Sequence, residues 1–435
     1  MSFSALLQQY EHHEGLHQLV SGCRENNAGQ LYLHGLSGSS ASVLAGIAAS
    51  QTENSFLFIL DDREAAAYFF DDLQQLFPTE NILFFPSSYK RSAKYRQKDS
   101  AGTILRTKTL NQISSGQKAV IVSYPEAISE KVISTKHLGE NTLSIKKGEN
   151  LSIDFVNEVM VTYGFELVDF VYEPGQYSIR GSIVDIYSFA AESPFRIDFF
   201  GDEVDSIRLF DIETQLSGEK IQSADVVPDL LQISIEERNI SFLDYIPEKS
   251  IVWTKNTEIV SSTIHGIFES SMASDSKDGK EESHQTSGLL AGFEFKEGLK
   301  NKLVVEYGVQ NVKMPTRINF NTKPQPVFHK NFEFLAADLN QKSEQGYHIY
   351  ILSENQKQFA RLREIFEATN HNVSFEEING VLHEGYIEND AKVCVYTDHE
   401  IFERYHKFKV NTRFTRKDSI TLKELTDLHP GDYVV

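Results

Sequence analysis

Short apolar runs alternate with helical patterns over residues 1–127. QLYLHGL (30–36) leads into ASVLAGIAAS, and SFLFILDD (55–62) leads into REAAAYFFDDLQQLF. In the second helix Ala66, Tyr68, Phe69, Leu73, Leu76 and Phe77 recur at helical spacing. NILFFPSS and KAVIVSYPEAI supply two more buried strands. Strand–helix alternation of this kind predicts a mainly parallel sheet with helices on both faces.

The rhythm changes over 128–218. FVYEPGQYSIRGSIVDIYSFAAESPFRIDFFGDEVDSIRLFDIETQLS is a series of short alternating strands, punctuated by Pro174-Gly175, Ser193-Pro194 and Gly201-Asp202. Turn signals at this spacing predict antiparallel β structure, here a β-rich module inserted after or within the α/β one. Over 219–325, SIVWTKN (250–256) and LVVEYGV (303–309) read as strands. The polar stretch 270–288, poor in large apolar residues, reads as a mobile loop. Three prolines within 313–331 suggest a connection between domains. YHIYILSE (347–354), a helix over 355–369 and KVCVYTD (392–398) then give a second α/β unit. The expected class is a multidomain α/β protein. The final residues open a β-like segment and stop inside an apolar run, so the chain is expected to be a piece of a longer protein.

Composition narrows the function. The chain has 435 residues, enough for roughly three domains of ~150 residues. It carries 42 Lys and Arg against 62 Asp and Glu, a formal charge of −20. That argues against a chain whose whole surface wraps a polyanion, while leaving room for a local basic patch. Cys23 and Cys394 are too few for a disulfide framework. The N-terminus has neither a cationic n-region nor an apolar h-region, and no run approaches 18 uninterrupted apolar residues. The expectation is a cytoplasmic protein without a membrane span.

The loop His34-Gly35-Leu36-Ser37-Gly38-Ser39-Ser40-Ala41-Ser42 joins a strand to a helix, as a phosphate-binding P-loop does. A working P-loop needs GxxxxGK[ST], whose lysine neutralises the β and γ charges. Gly35 and Ser42 stand in their places, but Ser40 replaces the second glycine and Ala41 the lysine. The loop reads either as a degenerate P-loop or as an ordinary Gly/Ser turn, with tight nucleotide binding expected of neither. His13-Glu14-Gly15-Leu16-His17 matches HExxH, yet Gly15 weakens the helix and no further ligand motif follows. No metal site is expected, and His12, His13 and His17 are expected on an exposed helix. Asp61-Asp62, and Asp398 with Glu400, end apolar strands and read as caps of the following helices. The densest basic run, 89–98, interleaves Lys90, Arg91, Lys94 and Arg96 with tyrosines. It could track a nucleic-acid backbone weakly or form a solvated loop.

The segment from Gly175 to Ser217 is specific. Arg180-Gly181 to Asp185, the strand PFRIDFF (194–200), GDEVDSIR (201–208) and Phe210-Asp211 resemble the UvrB-homology region of the bacterial transcription-repair coupling factors, the Mfd family. UvrB shares the RG…FFGDE…FD skeleton. However, LSGSSAS stands where UvrB carries TGSGKT, and no long aromatic hairpin follows FFPSSYKRS. TDHEIFERY and the terminal LHPGDYVV also look like the Mfd family.

The resemblance implies domain 1a (1–127) and domain 1b (219–325) joined in a UvrB-like module that has lost ATPase function. It further implies a UvrA-binding domain 2 (128–218), a small α/β domain 3 (326–412), and at 413–435 a linker and the start of an RNA-polymerase-interacting domain. The ATP- and Mg-dependent motor that works on DNA would lie elsewhere, leaving this chain a non-catalytic adaptor without a cofactor. Arg180, Tyr187 and Glu203 are the UvrA-contacting residues that the resemblance transfers. Ser178 and Glu166 stand where the family has basic residues. A UvrB-like or helicase-like DNA-binding ATPase fragment is the alternative.

Overall fold

A computed structural model describes residues 3–88, 100–230, 237, 239–278, 288–308, 316–369 and 372–404. The described residues form three bodies, the second inserted within the first. The first is a seven-stranded sheet, entirely parallel, in the spatial order Arg317–Asn319, Gly29–His34, Leu303–Glu306, Ile251–Thr254, Phe56–Ile59, Val120–Ser123, Ile82–Phe84. Strands from before and after the β-rich insertion thus pair within one sheet. Its strands are apolar on both faces, as a sheet covered by helices requires: Phe56, Leu57, Phe58 and Ile59 are all buried, and so is Trp253 beside them. Helix Arg63–Leu76 starts at Asp62, whose carboxylate accepts from the Ala65 amide at 2.9 Å. This matches the cap expected there, while Asp61 pairs instead with Lys255.

The second body is a six-stranded sheet in the order Ser217–Ile221, Glu203–Phe210, Phe195–Phe200, Ile183–Ile186, Gln176–Arg180, Glu166–Leu167. Its neighbours are antiparallel except for the last pair. One face packs on helix Ile153–Thr162, burying Val156 and Met160 against Tyr177, Val184, Ile197 and Phe199. Strand Leu143–Lys146 pairs with Ser223–Val226 beneath it. This body therefore runs from Leu143 to Val226, not over 128–218. Ile128, Val132 and Leu138 belong to the first core, and the strands around 217–226 close the second.

The third body is a mixed five-stranded sheet, ordered Thr322–Pro324, Tyr386–Glu388, Val393–Thr397, His348–Ser353, Glu376–Asn379. The proline-bearing connection holds strands of two sheets: Arg317–Asn319 belongs to the first body and Thr322–Pro324 to the third. One face of the third sheet, with Tyr350, Leu352, Tyr386 and Val395, is continuous with the first core.

Two expectations need correction. Residues 270–278 are helical, the end of Thr257–Asp278, rather than loop. An established helix can run on without an apolar period, which the sequence pattern alone does not reveal. Residues 279–287 lie outside the described part. Asp398 and Glu400 do not cap a helix with their side chains. Asp398 accepts from Ser353 and Arg404, and Glu400 from Thr397 and the Gly385 amide.

Candidate protein-docking site

The second sheet has one face on its core and one open face. Alternation along each strand decides which side chains go where. The register places Ser178, Asp185, Arg196, Arg208 and Lys220 in one row across five strands. Arg180, Ile183, Asp198 and Ser206 form the adjacent row. Leu143–Val226 contains six Lys and Arg and sixteen Asp and Glu, and four of those six cations stand in these two rows. A strongly acidic body thus collects its positive charge on one face.

Asp185 is fully buried at the centre of that face and receives two guanidiniums. Arg196 donates through Nε to Oδ1 at 2.7 Å and through Nη2 to Oδ2 at 2.9 Å. These bonds hold its guanidinium above the ordinary arginine value. Arg180 donates through Nη2 to Asp185 Oδ2 and through Nη1 to the Asp169 carbonyl at 2.8 Å. Its guanidinium also lies 5.0 Å from the Phe170 ring. Arg208 pairs with Asp198 at 2.8 Å, which in turn accepts from Ser206. The Arg180 and Arg208 side chains remain 35% and 34% exposed, and Lys220 is exposed. Leu167, Phe170 and Tyr172 are exposed along the edge next to Arg180. The face offers fixed, partly neutralised cations beside an apolar rim, an arrangement suited to protein docking.

Of the residues expected here, Arg180 lies on the open face. Tyr187 does not. It is buried with Val171 and Phe210, and its hydroxyl donates to the Glu192 carbonyl at 3.1 Å. It anchors the edge segment and has no surface to offer a partner. Glu203 is exposed, but on the hairpin opposite Phe200. Ser178 is buried and donates to the Asp169 carbonyl, and Glu166 is exposed on the edge strand. Arg196, Arg208 and Lys220 escaped the sequence reading. The signal was there in the alternation of charged and apolar positions in PFRIDFF and DSIRLFD.

The other expected sites fall elsewhere. Gly35, Gly38, Ser40, Ala41 and Ser42 form the strand–helix turn opening helix Ser40–Ser50 of the first body, with Ser40, Ala41 and Ser42 buried. Lys90, Arg91, Lys94 and Arg96 lie outside the described residues. His13 is buried rather than exposed: it precedes helix Glu14–Glu25 as its N-cap, and its Nδ1 accepts from the Leu16 amide at 3.3 Å. That bond leaves the proton on Nε2, 3.4 Å from Glu388 Oε1. His13, Glu388 and Asp390 converge as metal ligands could. A ligating Nε2, however, needs its lone pair free and the proton on Nδ1, the reverse of what the cap demands. His17 turns away to the Glu11 carbonyl, so the HExxH pattern does not form its helix-face pair.

Residues 143–230 match the family model of the UvrB interaction domain. The chain is 23% identical to a transcription-repair-coupling factor of Bacillus subtilis over 96% of its own length and 42% of that protein. It is 21% identical to one of Staphylococcus aureus over 92% and 40%, and 28% identical to one of Escherichia coli over 46% and 18%. The chain thus spans about two fifths of the length of the relatives it matches end to end. The fold is that of a multidomain α/β chain, a parallel-sheet module with an inserted body that matches the family model of the UvrB interaction domain. The resemblance to the N-terminal region of the bacterial transcription-repair coupling factor, Mfd, therefore stands. Among the described residues no helix is long and apolar enough to cross a membrane.

Proposed function

We propose that this chain is the non-catalytic adaptor region of a transcription-repair coupling factor, and that it recruits UvrA through the open face of its second body. The observation that carries this reading is the cross-strand grouping of Arg180, Arg196, Arg208 and Lys220 on an otherwise acidic domain that matches the UvrB interaction domain. The partner surface would be acidic, with an apolar strip facing Leu167, Phe170 and Tyr172. Ala41 in the lysine position removes the charge that phosphoryl transfer needs, which supports an adaptor over an ATPase. RNA polymerase would be engaged through the segment beginning at 413–435, and DNA and Mg-ATP through a motor region outside this chain.

The test is a UvrA titration against folded variants. Arg208→Glu and Arg180→Glu should weaken binding at least tenfold, with affinity falling as salt rises. Lys94→Glu, in the basic run 89–98, should leave it unchanged. The opposite pattern would move the interface to the basic run.

A further inference from the structure

The P-loop-like turn lacks the second glycine and the lysine of a working P-loop, yet it is packed with hydrogen bonds, and its partner lies about 345 residues away in sequence. The Ser39 amide donates to the Glu384 carbonyl at 3.2 Å, and the Glu384 amide donates back to Ser39 Oγ at 3.0 Å. A Cβ at Gly38 would fall 2.6 Å from the Gly385 carbonyl oxygen, so the two backbones touch there. Gly38 has φ +54°, which further favours glycine. The Gly35 carbonyl accepts from both the amide and the hydroxyl of Thr322, at 3.1 and 2.8 Å.

Behind the loop, Asp72 ties the three elements together. Its Oδ2 accepts from Ser42 Oγ, and its Oδ1 from the His383 amide, both at 2.7 Å. The His383 ring stacks on Tyr68, with centroids 3.6 Å apart. From the other side the turn is braced by its own body: the His383 carbonyl faces His399 Nε2 at 2.9 Å, and the Gly385 amide donates to Glu400 at 2.5 Å.

We propose that the former phosphate loop is an intramolecular peptide-docking socket, whose ligand is the backbone turn His383-Glu384-Gly385 of the third body. The serine hydroxyl and amide that would have faced an anion instead read a peptide amide and carbonyl. This accounts for two features: the Gly385 backbone lies where a Cβ at Gly38 would be, and the buried acid of helix Arg63–Leu76 faces the socket. Docked turn and bound phosphate are mutually exclusive.

Amide exchange in the full chain tests this. Ser39→Ala removes the acceptor of the Glu384 amide, and Gly38→Ala wedges the turn away. Each should speed exchange at His383 and Glu384 at least tenfold, while leaving Gly385, whose amide is held by Glu400, and strand Phe56–Ile59 as protected as before. Gly116→Ala controls for backbone strain, because Gly116 also has positive φ but open space around it. It should leave the turn protected. Unchanged exchange at His383 and Glu384 in both socket variants, or acceleration spread evenly through the first sheet, would overturn the proposal. So would millimolar Mg-ATP protecting amides 37–42 while 383–385 stay protected, since the loop would then hold phosphate beside the turn.

Discussion

Arg196 grips Asp185 through two hydrogen bonds, 2.7 and 2.9 Å long, and the carboxylate they close on has no exposed surface. The pair sits in the middle of the proposed docking face, so structure and recognition depend on the same residues. Removing Arg196 leaves the buried Asp185 with Arg180 alone and takes the donor from its Oδ1. Arg196→Ala should therefore cost about 3 kcal/mol of stability in urea unfolding. Arg180, one-third exposed at the rim, should cost about 1 kcal/mol when truncated. Equal losses would mean that Asp185 does not distinguish its two partners.

The limits of the second body predict which fragment folds. A 141–230 piece retains strand Ser223–Val226 to pair with Leu143–Lys146, along with the whole of Ser217–Ile221. It should unfold in one cooperative step by circular dichroism. A 128–218 piece lacks Ser223–Val226 and most of the outer strand, and carries apolar residues of the first core, Ile128, Val132 and Leu138, into water. It should be aggregation-prone or only partly folded. Equal cooperativity for the two pieces would place the boundary back at 218.

Burial pushes the Asp72 carboxyl up to about 7 from 3.8. The Ser42 and Ser39 hydroxyls and the His383 amide oppose the rise, Asp71 adds to it, and Tyr386 is close enough to be raised by Asp72 in turn. A folded value above the unfolded one means the folded chain holds the extra proton between about pH 4 and 7. Its contribution to stability is complete below that window and is lost as pH rises through 7. Asp72→Asn carries no such proton. The stability difference between variant and parent should thus shift in the variant's favour by on the order of 2–3 kcal/mol from pH 5 to pH 8. A difference that stays constant with pH would show that Asp72 does not titrate in that range.

Restoring the P-loop letters should not restore its chemistry. Ser40→Gly with Ala41→Lys returns the missing glycine and lysine, but the Glu384–Gly385 backbone still fills the space over the loop. Calorimetry with Mg-ATP should detect no binding in the micromolar range, for parent or variant. A low-micromolar dissociation constant in the variant would mean that sequence alone had silenced the loop.

Much of the architecture is written locally. Unbroken apolar strands such as Phe56–Ile59 and alternating ones such as Phe195–Phe200 distinguish a covered parallel sheet from one with an open face. The helical spacing from Ala66 to Phe77 forecast a buried helix face, and the cap at Asp62 its start. The RG and FFGDE strands fall within the residues that match the family model of the UvrB interaction domain, and Ala41 stands where a P-loop would carry its lysine. What local pattern could not convey was which residues meet across long stretches of chain. Cross-strand register alone made a single row of Arg196, Arg208 and Lys220. Packing alone turned Tyr187 inward, and buried His13 beside Glu388, 375 residues downstream. No local pattern marks Asp72 within its helix; only the docking of His383 onto it, through contacts at a sequence separation of 311, made it a buried pin. Hydrophobic period and turn chemistry act over a few residues and so are legible in sequence. Burial of a polar group is settled by whichever distant segment supplies its hydrogen bonds, and that is a property of the folded chain.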